Sequence, residues 1–408
     1  MSRGRVFRGL LPIVFLILCC AGSCPSARSA ETKAVVAGNT AFAIDLYGRL
    51  RTTPGNLFFS PYSISTCLSM AYAGARGETE QQMARVFIFD TNQAPLHAAF
   101  GELQRQLAAI GQEKGVELNI ANALWSQKGY PFLSAFLHNT QVNYQANFNQ
   151  ADFKHEAEAA RTKINEWVAE KTKEKITDIL PPRSLNPLTR LVLANAIYFK
   201  GVWAKRFEKG QTSSQPFHLS GTSQITVPLM HHSDEVRYME NSDFQAVELP
   251  YRSNELSMVV MLPRQIEGCG TLESRLTPEL LSASLSQMTR REVVIFLPRY
   301  KLESRFNLNA TLAAMGMPDA FGPKADFSGL DGTKDLYISG VFHKAWGEVN
   351  EEGTEAAAAT ATVFHLNAVV KPVLLPPVFR ADHPFLFFIR DTRSGSILFL
   401  GRLSNPSS

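Results

Sequence analysis

Ser, His and Asp are all present in this 408-residue chain, but none stands in a spacing that signals catalysis. There is no G-x-S-x-G elbow, no G-x-x-x-x-G-K-[ST] phosphate loop and no H-E-x-x-H pair. His231 and His232 are the only adjacent histidines; no metal-ligand motif surrounds them, and they read as a solvated loop. A Ser-His-Asp triad is a spatial arrangement that sequence does not reveal, so hydrolysis has no positive support. The stretch worth following is 351–379, EEGTEAAAATATVFHLNAVVKPVLLPPVF. Its first third is Glu and Ala, good helix formers, and its last third holds three prolines that a helix interior excludes. It resembles neither a core element nor an ordinary surface loop.

Composition narrows the setting. The chain is 45% hydrophobic and 19% charged, as in a soluble globular protein. No internal repeat of 20–50 residues is present. Arg3, Arg5 and Arg8 precede the apolar run LLPIVFLILCCAG, and small residues follow. That order is a secretory signal peptide over residues 1–30, cut after Ser29 or Ala30. The run is shorter than the roughly 18–20 residues a membrane span needs. Without residues 1–30 the chain loses four Arg (3, 5, 8 and 28) and no acid, which leaves 37 basic against 37 acidic residues. A neutral chain gives no pull toward nucleic acid or an anionic membrane. Cys67 and Cys269 remain, one in a helical pattern and one in the loop EGCGT, with nothing to suggest that they pair.

Periodicity places the elements. Phe42, Leu46 and Leu50 mark a helix over about 35–50. In NLFFSPYSISTCLSMAYAG a short strand precedes a helix whose N-cap is Ser60 and whose first turn takes Pro61. Helical patterns cover about 78–87, 94–110, 156–175 and 307–316. VELNIANALW alternates like a half-buried strand, and TRLVLANAIYFKG is apolar enough for a strand covered on both faces. Beyond Gly201 the chain is rich in strands: FQAVELPY and LSMVVMLP form a hairpin, REVVIFLPRYKLES and KDLYISGVFHKAWGEVN are long strands, and the terminus is two strands around DTRSGS. No linker divides them, so residues 31–408 form one α+β domain.

VFHKAWGEVNEEGTEAAAATA followed by FRADHPFLFFIRDTRSGSILFLGRL resembles the carboxy-terminal part of a serpin. NLFFSPYSIS, LANAIYFKGVW and FLPRYKLES are similar to the family's other signature segments, in the same order, over about 34–405. The resemblance implies three β-sheets, about nine helices and an exposed reactive-centre loop at 351–379. It also implies a suicide-substrate mechanism: a protease cuts the loop, forms an acyl-enzyme, and is trapped as the loop inserts into the large sheet. In such an insertion the loop adds as a strand to the sheet and releases strain stored in the uncut fold. By matching segments, Ser60, Ser63, Asn195 and His343 form a polar shutter under the sheet. Trp203 and Arg299 form the breach, where Arg299 pairs with Glu351.

The loop's residues suit that role. A strand entering a sheet presents alternate side chains to the core, and an unpaired charge there is costly. Thr354, Ala356, Ala358, Thr360, Thr362 and Phe364 carry no charge; Glu355 and His365 both fall in the other register. Gly353 frees the hinge behind Glu351. Proline is absent from 351–371, so every N–H is available for new ladders. Some ten new hydrogen bonds would contribute on the order of 5–15 kcal/mol, comparable to the stability of a whole domain.

The family's count of seventeen residues from Glu351 puts the scissile bond at Asn367–Ala368; a shift of one gives Leu366–Asn367 and a chymotrypsin-like target. Ala368 or Val369 suits an elastase-like protease, and Asn367 an asparagine-directed cysteine protease. The expectation is a secreted, monomeric, cofactor-free inhibitor of a serine-type protease, extracellular or periplasmic, and not an enzyme. A charged, bulky or proline-containing hinge, expected of a non-inhibitory carrier or chaperone, is not seen. Asn309-Ala310-Thr311 is a glycosylation sequon.

Overall fold

The apolar spacing that marks the helices also fixes which faces they bury. The computed structural model describes residues 25–89, 92–110, 115–145, 149–353 and 375–407. Among them are ten α-helices: α1 (Pro25–Leu50), α2 (Pro61–Tyr72), α3 (Gly77–Phe87), α4 (Gln93–Ile110), α5 (Ser134–Tyr144), α6 (Phe153–Lys171), α7 (Cys269–Ser274), α8 (Pro278–Gln287), α9 (Asn309–Met315) and α10 (Ser328–Asp331). The strands are β1 (Leu57–Phe59), β2 (Val116–Gln127), β3 (Asn149–Ala151), β4 (Leu191–Gly201), β5 (Ser213–His218), β6 (Gln224–Glu240), β7 (Phe244–Pro250), β8 (Leu256–Pro263), β9 (Thr289–Pro298), β10 (Tyr300–Asn307), β11 (Gly340–Val349), β12 (Val378–Arg380), β13 (Phe385–Asp391) and β14 (Ile397–Leu403).

One sheet has five strands in the order β10-β11-β4-β2-β3. The other has nine, running β1-β14-β13-β8-β7-β6-β9-β12 with β5 on β6. The long strand β6 is shared: its start pairs with β5, Leu229–Tyr238 with β9, and its end with β7. The second array is therefore two sheets joined through one strand, giving the expected three. Helix α2 packs on one face of β2 and β4 and α6 on the other. Strand β4 is consequently buried almost throughout, as its unbroken apolar run requires.

Several local expectations give way to tertiary context. His231 and His232 lie inside β6, stacked on Phe296 and Phe207, rather than in a solvated loop. Their aromatic neighbours are distant in sequence and left no local signal. Cys269 opens α7 instead of sitting in a loop, and both cysteines are buried and free. Asp335–Ser339 is not strand; β11 starts at Gly340. REVVIFLPRYKLES divides at Arg299 into β9 and β10, which belong to different sheets.

The C-terminal strand is locked by one side chain. Arg402 on β14 donates to Glu273 Oε1 at 2.8 Å and to the carbonyls of Arg51, Thr53 and Gly55. Tyr47 on α1 donates to the same carboxylate at 2.5 Å. Removing Arg402 strands a buried carboxylate and three carbonyls. Arg402→Leu should cost about 3–5 kcal/mol in urea unfolding; a loss below about 1 kcal/mol would show that the lock is decorative.

Candidate functional site

The five-stranded sheet has a seam. Strands β4 and β11 run parallel, from Gly340 opposite Val192 to Trp346 opposite Tyr198. Their outer neighbours, β2 and β10, are antiparallel to them. Pairing across the seam stops at Trp346, although β11 continues to Val349 and β4 to Gly201. Beneath this unpaired end is an apolar cavity lined by Phe58, Phe199, Tyr251, Met258, Leu302 and Gly347.

A polar cluster lies under the paired part. Ser60 caps α2 by accepting from Ser63 N–H at 3.1 Å. The Ser60 N–H donates to His343 Nε2 at 3.1 Å. Nε2 therefore accepts, and the ring proton sits on Nδ1, which donates to Asn195 Oδ1. The Asn195 amide donates to Ser63 Oγ at 2.6 Å and to Asn122 Oδ1. Ser63 Oγ also donates to Asn122 Oδ1, at 2.9 Å. Ser60, Ser63, Asn195 and His343 are fully buried. All four residues expected from sequence thus meet, spanning α2, β4 and β11. Asn122 on β2 was missed. Its signal was register: it lies directly opposite Asn195.

The pairing makes the seam dependent on a neutral histidine. Burial holds the His343 pKa down to about 3. Protonation would abolish the acceptor that Ser60 N–H uses.

The base of the loop is built just as tightly. Asn350 and Gly353 exchange backbone hydrogen bonds at 3.1 Å, reversing the chain directly after β11. Gly353 has φ +105°, and a Cβ there would fall 2.1 Å from Gly201 O and 2.5 Å from Trp203 N. Glu351 is buried; its Oε1 accepts from Thr212 Oγ1 at 2.7 Å, and Arg299 lies 3.6 Å away. The Glu351 carbonyl accepts from Phe207 N–H and the Glu352 carbonyl from Trp203 N–H. Trp203 Nε1 donates to Asn350 O at 2.9 Å, and its ring stacks on Tyr251. The expected breach pair is present, with Thr212 as an unforeseen partner.

Thr354, Ala356, Ala358, Thr360, Leu366, Asn367 and Ala368 lie outside the described residues. Burial pushes the Cys67 thiol pKa up, and that of Cys269 up to about 12, which leaves both unreactive. The Asn309 amide is committed to backbone: Nδ2 donates to Ser339 O at 3.0 Å and Oδ1 accepts from Val341 N–H at 2.8 Å. Among the described residues no group of His, Cys, Asp and Glu could hold a metal, and no helix is long and apolar enough to cross a membrane.

Two measurements follow from this geometry. An unfolded histidine binds a proton near pH 6.5, but folded His343 does not until about pH 3. Its contribution is therefore complete above pH 6.5 and falls by about 1.4 kcal/mol per unit as pH drops toward 3. The stability difference between the native chain and His343→Gln should shrink by that slope; a constant difference would contradict a neutral shutter histidine. Gly353→Ala meets both a positive φ and a backbone clash, so it should lower the unfolding free energy by at least about 2 kcal/mol. A change under about 0.5 kcal/mol would contradict the turn.

With this geometry in hand, comparison identifies the family. The serpin pattern, described as serpin (serine protease inhibitor), matches residues 37–406. The leukocyte elastase inhibitor of Sus scrofa is 43% identical over 380 residues, 91% of this chain and 99% of that protein. The protein of the same name from Homo sapiens is 42% identical over 379 residues, 90% and 98% of the two. Uncleaved ovalbumin superimposes with TM-score 0.82 at 30% identity, covering 91% of this chain and all of its own. Serpin48 of Tenebrio molitor, described as a highly specific serpin, gives TM-score 0.80 at 32% identity, covering 92% and 98%. The chain belongs to the serpin family, and by that membership it is a protease inhibitor and not an enzyme.

Proposed function

We propose that the protein is a secreted inhibitor of a serine-type endopeptidase that traps its target covalently when the cleaved loop inserts between β4 and β11. The observation that carries this reading is the Asn350–Gly353 reversal. Continuing its register along β11 sets Thr354 opposite Val349, Ala356 opposite Gly347, Ala358 opposite Ala345, Thr360 opposite His343 and Thr362 opposite Val341. Val341, Ala345 and Val349 point into the main core. The charge-free set therefore lands on the buried face, where an ion would be costly.

The opposite face is equally selective. Ala357 would fall between Trp346 and Tyr198, whose rings now lie 5.4 Å apart. Ala359 and Ala361 would lie between buried residues of the two strands beneath α6, where only small side chains fit. An incoming antiparallel strand replaces one parallel ladder with two antiparallel ones, a net gain of hydrogen bonds. Thr360 would arrive between His343 and Asn195 and bring a hydroxyl to the cluster that insertion parts.

The pig and human relatives are named for inhibition of a leukocyte elastase. Elastase takes small side chains, as Ala368 and Val369 offer. The family count favours Asn367–Ala368, with Leu366–Asn367 as the shifted alternative. Secretion rests on the basic and apolar start of the chain; N-terminal sequencing of exported protein should begin at Ala30 or Glu31.

The test is incubation with elastase-, chymotrypsin-, trypsin- and asparagine-specific proteases, followed by denaturing electrophoresis and mass spectrometry of the released peptide. A denaturant-resistant complex with loss of protease activity is expected from at least one. Clean cleavage by all of them, as a carrier serpin would give, contradicts the proposal. Thr354→Arg should turn the inhibitor into a substrate, because insertion would bury a guanidinium beside Val349. Undiminished trapping by this variant would show that the register is wrong.

A further inference from the structure

A cavity of about 420 Å³ opens where the end of β6 and the start of β7 meet α7 and α8. None of its lining residues lies on β4 or β11, so it is separate from the seam. Its volume is in the range of sites that enclose small organic ligands, roughly 300–1,000 Å³. The floor is apolar: Phe244 and Leu272 are buried, and Leu280 packs against the same core. The rim is polar and includes Asp243, Gln265, Glu267 and Arg275.

The walls are fixed before any ligand arrives. In the β6–β7 turn, Asn241 Oδ1 accepts from the Asp243 N–H at 2.8 Å and the Phe244 N–H at 2.9 Å. Arg264 closes the same turn: its Nε donates to Asn241 O at 3.1 Å and its backbone N–H to Asp243 O at 2.8 Å. Asp243 and Arg275 tie the turn to the end of α7 through a 2.6 Å contact. Between β8 and α7, Glu267 Oε1 accepts from the Gly221 N–H at 3.1 Å, which anchors that carboxylate to the β5–β6 turn. A site braced in this way loses little freedom when it is filled.

The charges decide the sign of the ligand. Glu240 is paired with Arg264 at 2.6 Å, and Asp243 with Arg275 at 2.6 Å. Glu267 has no cation within ion-pairing distance among the described residues; its protein contact is the Gly221 N–H. An anion would have to draw Arg275 from Asp243 and face Glu267 as well, whereas a cation meets a carboxylate that is already oriented. We propose that this cavity binds an organic cation with an apolar body, an aryl- or alkylammonium compound, with Glu267 holding the ammonium group and Phe244, Leu272 and Leu280 covering the body. The site is independent of loop insertion, because it shares no residue with the seam.

The experiment titrates the full chain with tryptamine as the cation and with indolepropionate as an anion of similar shape. Methyl NMR of Leu272 and Leu280 locates binding, and calorimetry measures it. Tryptamine should shift both methyl signals saturably, with a Kd on the order of 0.1–1 mM. Glu267→Gln should raise that Kd about three- to tenfold, and high salt should weaken binding to the native chain more than to this variant. Thr271→Trp places a large side chain at an exposed lining position of α7 and should abolish the shifts while the chain keeps its native melting temperature. Three results would each overturn the proposal: no saturable shift of Leu272 or Leu280, equal or tighter binding of indolepropionate, or an unchanged Kd in Glu267→Gln.

Discussion

The hydrogen-bonded ladder between β4 and β11 is the constraint on which the rest of the molecule depends. It joins two parallel strands whose outer neighbours, β2 and β10, are antiparallel to them, so an antiparallel strand added there would pair with profit on both sides. The chain reverses at Asn350–Gly353, directly after β11. In the proposed mechanism the loop is a competitor for this seam, kept out by the closed ladder and by the constrained geometry of the loop base. In that mechanism, cutting the loop frees its far end, and the sheet then has a better-paired alternative available.

Two buried polar arrangements hold the seam in its closed form. Beneath it, His343 joins β11 to α2 through Ser60 and to β4 through Asn195, and Asn122 extends the cluster to β2. The His343 bonds to Ser60 and Asn195 both cross element boundaries, so parting the strands leaves several groups unmet at once. Above it, Gly353 lies against Gly201 and Trp203 so closely that no side chain fits. The two arrangements act at opposite ends of one line. A change in either should alter the ease of opening.

Much of this was legible in the residues. Ser60 and Pro61 announced the start of α2, and the apolar run 189–201 announced a strand covered on both sides. The charge-free alternation from Thr354 was also visible. What sequence left hidden depends on distant partners. Asn122 is an ordinary polar position in a strand until β4 is laid beside it. His231 and His232 look like loop residues until Phe296 and Phe207 are placed against their rings. The sequon at Asn309 satisfies a pattern, yet the fold has spent that amide on Ser339 and Val341. Helices α5, α7 and α8 are short and were hidden by the strand-rich or loop-like composition around them.

The most direct measurement of the central claim is the crystal structure of the chain after a single cut in the loop. The account predicts a sixth strand between β4 and β11, antiparallel to both, with Thr354 beside Val349 and Thr360 between His343 and Asn195. A cleaved chain in which Gly340–Trp346 still pairs with Val192–Tyr198 would contradict it.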